Sequence, residues 1–196
     1  MAPNSSRLEA VFADIDEANA RDPRHTVIGD ERRPQELVYA ERMSECLKEL
    51  YPQASEALQI AARGQHIRRW EIPREDYPLG RIGYNQWRTT CREHHAKLVA
   101  DIMGKHGYGE EEIAQVSKII KKEKLKRDPE SQALENVVCI VFVKYYLAEF
   151  AEKHDAPKLV EVLRKTALKM DDEGIAALKA LSLPPQIEGL LAQALK

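Results

Sequence analysis

Apolar residues recur along this chain mostly at the spacing of helices. Leu8, Val11, Phe12 and Ile15 mark a first stripe, opened by a Ser6–Glu9 capping box and stopped by Asp22-Pro23. Residues 24–33 read as a polar loop. Pro34 suits a first helical position, and Tyr39, Met43, Leu47 and Leu50 give the next stripe. A third helix is predicted from Ser55 to Trp70. The least regular stretch follows, Glu71 to Gly83, with two prolines and two glycines; a loop of that length inside a helical domain is more often functional than idle.

Helix resumes near Tyr84 and runs to about His106, where Gly104, Gly107 and Gly109 end it, and another is expected over Glu110–Lys124. From Glu130 to Lys153 the pattern is apolar nearly all round between Val137 and Val143, as in a helix buried on most sides. A strand is the rival for that β-branched run. Helix is preferred because both flanks continue without a turn signal. Helices over Pro157–Met170, Glu173–Leu181 and Pro185–Leu195 complete the pattern. The expected fold is all-α, a compact single-domain bundle of about eight helices spanning 1–196.

Composition narrows the class further. The chain has 196 residues, 43% hydrophobic and 32% charged, with a formal charge of −2. That balance excludes a globally basic nucleic-acid binder and a disordered chain. Nine glycines and 6% aromatics are few for a β-sandwich or barrel. The start lacks a basic segment followed by an apolar one, and the longest apolar run, Val137–Val143, is far below the ~20 residues that span a bilayer. The expectation is a soluble, cytoplasmic protein with no membrane partner. Cys46, Cys91 and Cys139 show no CxxC spacing and read as buried, reduced thiols.

Histidines carry the first candidate chemistry. Trp87, Cys91, Leu98 and Ile102 share a stripe, and His94 and His95 flank it on either side. His66 falls within the preceding predicted helix. Interior imidazoles need a hydrogen bond, a charge or a metal. Histidines from two helices, joined by a carboxylate such as Glu135 on a central helix, are one way an all-α fold builds a metal site. The alternative is a set of hydrogen-bonded core histidines and a surface glutamate.

Arginines supply the second signal. Arg63, Arg68, Arg69, Arg74, Arg81, Arg88 and Arg92 fall within thirty residues that hold no lysine and only three acids, Glu71, Glu75 and Asp76. Guanidinium groups bind phosphate or carboxylate through paired hydrogen bonds. The cluster brackets His66, so an anionic small-molecule ligand is expected there, with Arg63, Arg69, Arg74, Arg81, Arg88 and Tyr84 binding it. Individually, such arginines also pair with internal carboxylates. The basic run Lys118–Arg127 offers a surface for RNA or a partner. Gly-rich phosphate loops, GxSxG and HExxH motifs are absent from the sequence.

The order of these residues resembles the HD-domain superfamily of all-helical metal-dependent phosphohydrolases and their oxygenase relatives. His66 takes the place of the first histidine, His94-His95 that of the His-Asp doublet, and Glu135-Asn136 that of the last acid. The doublet's aspartate is missing, since Ala96 follows His95. A closer resemblance is to a conserved family of unknown function, carried by Gln65-His66-Ile67-Arg68-Arg69-Trp70, Pro73-Arg74, Tyr77-Pro78, Arg81-Ile82-Gly83-Tyr84, Trp87-Arg88 and Gln132-Ala133-Leu134-Glu135. Asn136 stands where that family is expected to carry an acid.

The HD resemblance implies a divalent metal, Mn, Fe, Zn or Mg, held by His66, His94, His95 and Glu135. Glu135 and His94 would act in catalysis, on a phosphorylated or nucleotide-like substrate; an iron-loaded oxygenase is the variant. The other expectation is a non-catalytic helical module that holds a nucleotide, RNA or acidic partner through the arginine-rich loop.

Overall fold

The computed structural model describes residues 4–196. The chain divides into two compact units, one running to Glu123 and the other from Lys124 to Lys196.

In the first unit, α1 (Asn4–Asn19) leads into a short hairpin, β1 (His25–Ile28) and β2 (Glu31–Pro34), followed by α2 (Gln35–Leu50), α3 (Glu56–Gly64), α4 (Gly80–Lys105) and α5 (Glu110–Lys121). The expected polar loop over 24–33 is therefore a hairpin. Its two-residue turn, Gly29-Asp30, carries Gly first with φ 60°, as a type II′ connection requires, and pairs Ile28 with Glu31. The Gly-Asp signal was in the sequence, but strands of four residues with mostly exposed side chains show no alternation to read.

Helix α4 packs on α5, α3 on both α2 and α5, and α1 against α2, α3 and α4. Ile15, Met43, Leu47, Ile60, Ile67, Val99, Met103, Ile119 and Ile120 are fully buried in this unit. Gly64 lets α3 approach α4, because a Cβ there would overlap the Val99 side chain.

The third helix is shorter than its pattern predicts. It begins where expected, with the Ser55 side chain accepting from the Leu58 N–H at 3.0 Å, but α3 ends at Gly64. Ile67 continues the apolar spacing only because it is buried after the turn. Arg68 then takes a left-handed conformation, φ 52°, with its N–H donated to the Asn19 side chain at 3.1 Å. A buried asparagine from α1 thus holds a backbone turn that no local signal announces. The stretch to α4 contains two single 3-10 turns, Arg69–Glu71 and Arg74–Asp76.

In the second unit, α6 (Pro129–Tyr145), α7 (Leu147–Glu152), α8 (Ala156–Ala167), α9 (Asp172–Lys179) and α10 (Pro185–Ala194) follow one another. Asp128, Asp155 and Asp171 cap α6, α8 and α9 by accepting from Ser131, Lys158 and Gly174 N–H groups. Helix α6 is buried on most sides, as its pattern predicts. It does not continue to Lys153. The chain bends at Tyr146, and Phe150 meets Phe142 edge-on at 6.1 Å. In a straight helix those two positions would be separated by ~12 Å of rise.

Ten α-helices stand among the described residues where about eight were expected, the break at Tyr146 dividing one expected helix into α6 and α7. Cys46, Cys91 and Cys139 are buried and form no disulfide among the described residues. No described helix is long and apolar enough to cross a membrane.

Candidate functional site

His66 and the residues around it form a compact polar cluster inside the first unit. The loop after α3 carries His66, and α2 supplies two of its neighbours. Tyr39 stacks on the imidazole, with ring centroids 3.9 Å apart and planes 10° from parallel. Glu36 places Oε2 3.4 Å from Nδ1. On the other side, Arg69 donates to Nε2 at 2.8 Å. That bond assigns the ring: Nε2 holds the lone pair, and Nδ1 carries the hydrogen that faces the carboxylate.

Glu36 is 3% exposed, and burial pushes its pKa up while Arg69 and Arg24 pull it down. Arg24 donates to its Oε1 at 2.7 Å and grips Asp22 with two further bonds of 3.1 Å. Asp22, also buried, accepts the Glu36 backbone N–H at 3.1 Å and so closes the first turn of α2. Sequence reading passed over Asp22, Arg24, Glu36 and Tyr39. An acid in the first turn of a helix is ordinary, and only the hairpin that folds Arg24 back over it makes Glu36 a buried group.

Helix α4 brings the remaining histidines. His95 is buried, with Nδ1 2.8 Å from the Ile67 carbonyl, and its ring lies 5.9 Å from that of His66. Its Nε2 is buried and meets no hydrogen-bond partner among the described residues. His94 sits 5.8 Å from His95, with Nε2 3.3 Å from Glu71, which in turn pairs with Arg68. Burial holds both His66 and His95 well below the ordinary histidine pKa. Arg69, Lys122, Arg88 and Arg24 reinforce the shift at His66, and His66 and Arg69 reinforce it at His95, where the Ile67 carbonyl opposes it. Both imidazoles are therefore neutral at pH 7.

The expected arginines divide by role. Arg69 lies over the Trp87 ring at 4.6 Å as well as on His66, and Arg88 lies 5.8 Å from the Tyr84 ring. Arg63 instead ties α3 to α1 and α2, donating to both Asp16 oxygens and to Ser44. Arg74 donates to the Tyr77 and Pro78 carbonyls and braces the loop from within. Arg81 is exposed on the first turn of α4.

Two further contacts seat this loop on α4. Trp87 Nε1–H donates to the Ile72 carbonyl at 2.9 Å, and Gly83 passes so close to the Pro78 carbonyl that any Cβ would overlap it. The irregular stretch is a built platform.

Glu135 is buried on α6, in the second unit. Its neighbour Asn136 is an internal hydrogen-bonding hub: Oδ1 accepts from Gln132 Nε2 at 3.0 Å, and Nδ2 donates to Asp171 at 2.8 Å. Gly174 makes room for that amide, since a Cβ would come within 2.5 Å of it. Among the described residues, no three His, Cys, Asp or Glu side chains gather as a metal ion requires. His66 Nε2 is moreover held by a cation that a metal would have to displace. His66, His94 and His95 belong to the first unit and Glu135 to the second.

The family model described as Domain of unknown function (DUF4202) matches residues 9–191. The chain belongs to that family. No curated protein and no solved structure matches it. The DUF4202 match spans the His66 loop, the α4 histidines and the Asn136 hub alike, while the likeness to HD-domain enzymes rests on the order of residues alone.

Proposed function

We propose that the first unit binds a phosphorylated small molecule at the His66–Arg69 cluster. One observation carries this reading: Arg69 reaches neutral His66 at 2.8 Å, and Lys122, Arg88 and Arg24 add to the positive potential at the ring, while the buried carboxylates Asp22 and Glu36 are both taken up by Arg24. Like charges are not gathered around a half-buried ring without a cost, and an anion bound among them offsets it. Guanidinium groups of Arg69 and Arg88 would take phosphate oxygens in paired hydrogen bonds, and neutral His66 would orient Arg69. The Trp87–Ile72 bond and the Gly83 approach support the reading because they make the loop rigid before ligand arrives.

Titration calorimetry with inorganic phosphate and ribose 5-phosphate tests it. Arg69→Gln combined with Arg88→Gln should weaken binding at least tenfold with an unchanged far-UV circular dichroism spectrum. Absence of binding to the wild-type protein overturns the proposal.

Hydrolysis of the bound ester is a second reading, favoured by the Glu36–His66 contact. A carboxylate behind an imidazole is the relation that orients a general base, a role open to His66 once Arg69 leaves Nε2 for the phosphate. Release of phosphate from a panel of phosphate esters, lost in His66→Gln, would carry it. Elemental analysis of the purified protein decides whether the divalent metal expected from the sequence takes part.

A further inference from the structure

We infer that the exposed ring of Tyr84 is a base-stacking platform for this site, so that the phosphorylated ligand is a nucleoside 5′-phosphate. The inference rests on the phosphate reading above and adds the ligand's other half.

The supporting feature is a continuous row of rings and guanidinium groups. Positions 84, 87 and 88 share one side of α4, because residues three and four apart are neighbours on a helix. Tyr84 and Trp87 meet with centroids 5.8 Å apart and planes tilted 45°. Trp87 then carries Arg69 on its ring at 4.6 Å, and Arg69 reaches His66. Arg88 lies against the Tyr84 ring. The row thus begins at the cationic cluster and ends at an aromatic side chain open to solvent.

The two aromatics are not equivalent. Trp87 is half-buried and anchored through its indole N–H to the Ile72 carbonyl. It is a fixed wall. Tyr84 rests against that wall while remaining 44% exposed, and Leu79 and Ile82, five and two residues earlier, are 96% and 76% exposed. This first turn of α4 therefore sets apolar and aromatic surface next to the arginines.

Distance limits the size of the ligand. The Tyr84 ring can be no farther from the Arg69 guanidinium than its separation from Trp87 plus that of Trp87 from Arg69. One ribose separates base from 5′-phosphate, which suits that span. A sugar phosphate would leave Tyr84 unused. Stacking on an aromatic face is tolerant of base identity, since every base has a π-face.

Calorimetric titration of the full chain with ribose 5-phosphate and the four ribonucleoside 5′-monophosphates tests the inference. At least one nucleotide should bind about fivefold or more tightly than ribose 5-phosphate. Tyr84→Ala should bring nucleotide binding down to the level of ribose 5-phosphate measured on the same variant, whereas Tyr84→Phe should keep the advantage. Equal binding of ribose 5-phosphate and all four nucleotides overturns the inference alone. So does a nucleotide advantage that survives Tyr84→Ala. No binding of any of the five overturns the phosphate reading and the inference together.

Discussion

The guanidinium of Arg69 donates to Nε2 of His66 at 2.8 Å, so a permanent cation covers the imidazole nitrogen that holds the lone pair. Protonation of His66 would place a second positive charge against the first. The histidine's pKa is lowered by burial and then by Arg69, which leads the cationic neighbours. Arg69→Gln should therefore raise the His66 pKa, read by imidazole chemical shifts over a pH series. An unchanged titration would show that burial alone sets it.

Acid should destabilise the first unit in a defined order. His66 and His95 both have folded-state pKa values below the ordinary histidine value of ~6.5. Above that value both states are neutral and nothing changes. As pH falls through it, the unfolded chain takes up the protons first, and stability is lost at about 1.4 kcal/mol per pH unit for each histidine. Glu36 acts in the opposite direction, because its folded-state pKa is raised and it gains protons in the folded state first on acidification. Urea unfolding between pH 7 and 5 should show the histidine loss, reduced in His95→Gln.

The close approach at Gly83 sets a sharp test of the loop's construction. Gly83→Ala would drive a Cβ into the Pro78 carbonyl, whose backbone has no rotamer to yield. A loss of more than about 2 kcal/mol is expected. Since the same loop carries Arg74 and seats Ile72 on Trp87, tryptophan fluorescence should change with it. Wild-type stability and emission in this variant would show that the loop is free to move away.

In the second unit, Asn136→Asp separates two readings of the Glu135-Asn136 pair. An acid at 136 would replace the N–H that Asp171 accepts with a like charge, at a buried position. The expected cost is roughly 3 kcal/mol at pH 7, smaller at pH 4 where the pair can share a proton. Thermal denaturation at both pH values checks this. A stabilised variant would restore the case for an acidic pair.

Helical class, the buried character of α6 and the capped starts of α3 and α6 were legible in the sequence, because they depend on spacing and on cap residues within a few positions. The coincidence of His66 with the arginine-rich loop was legible too. The partners of those groups were not. Glu36 and Tyr39 reach His66 from 30 and 27 positions away, Asp22 stands behind Glu36, and Asn19 fixes the turn at Arg68 from 49 positions away. A hydrophobic period reports which face is buried, yet it says nothing about which buried polar group meets which. That choice belongs to tertiary structure, since a buried charge or amide is stable only where another element brings its partner within hydrogen-bond reach.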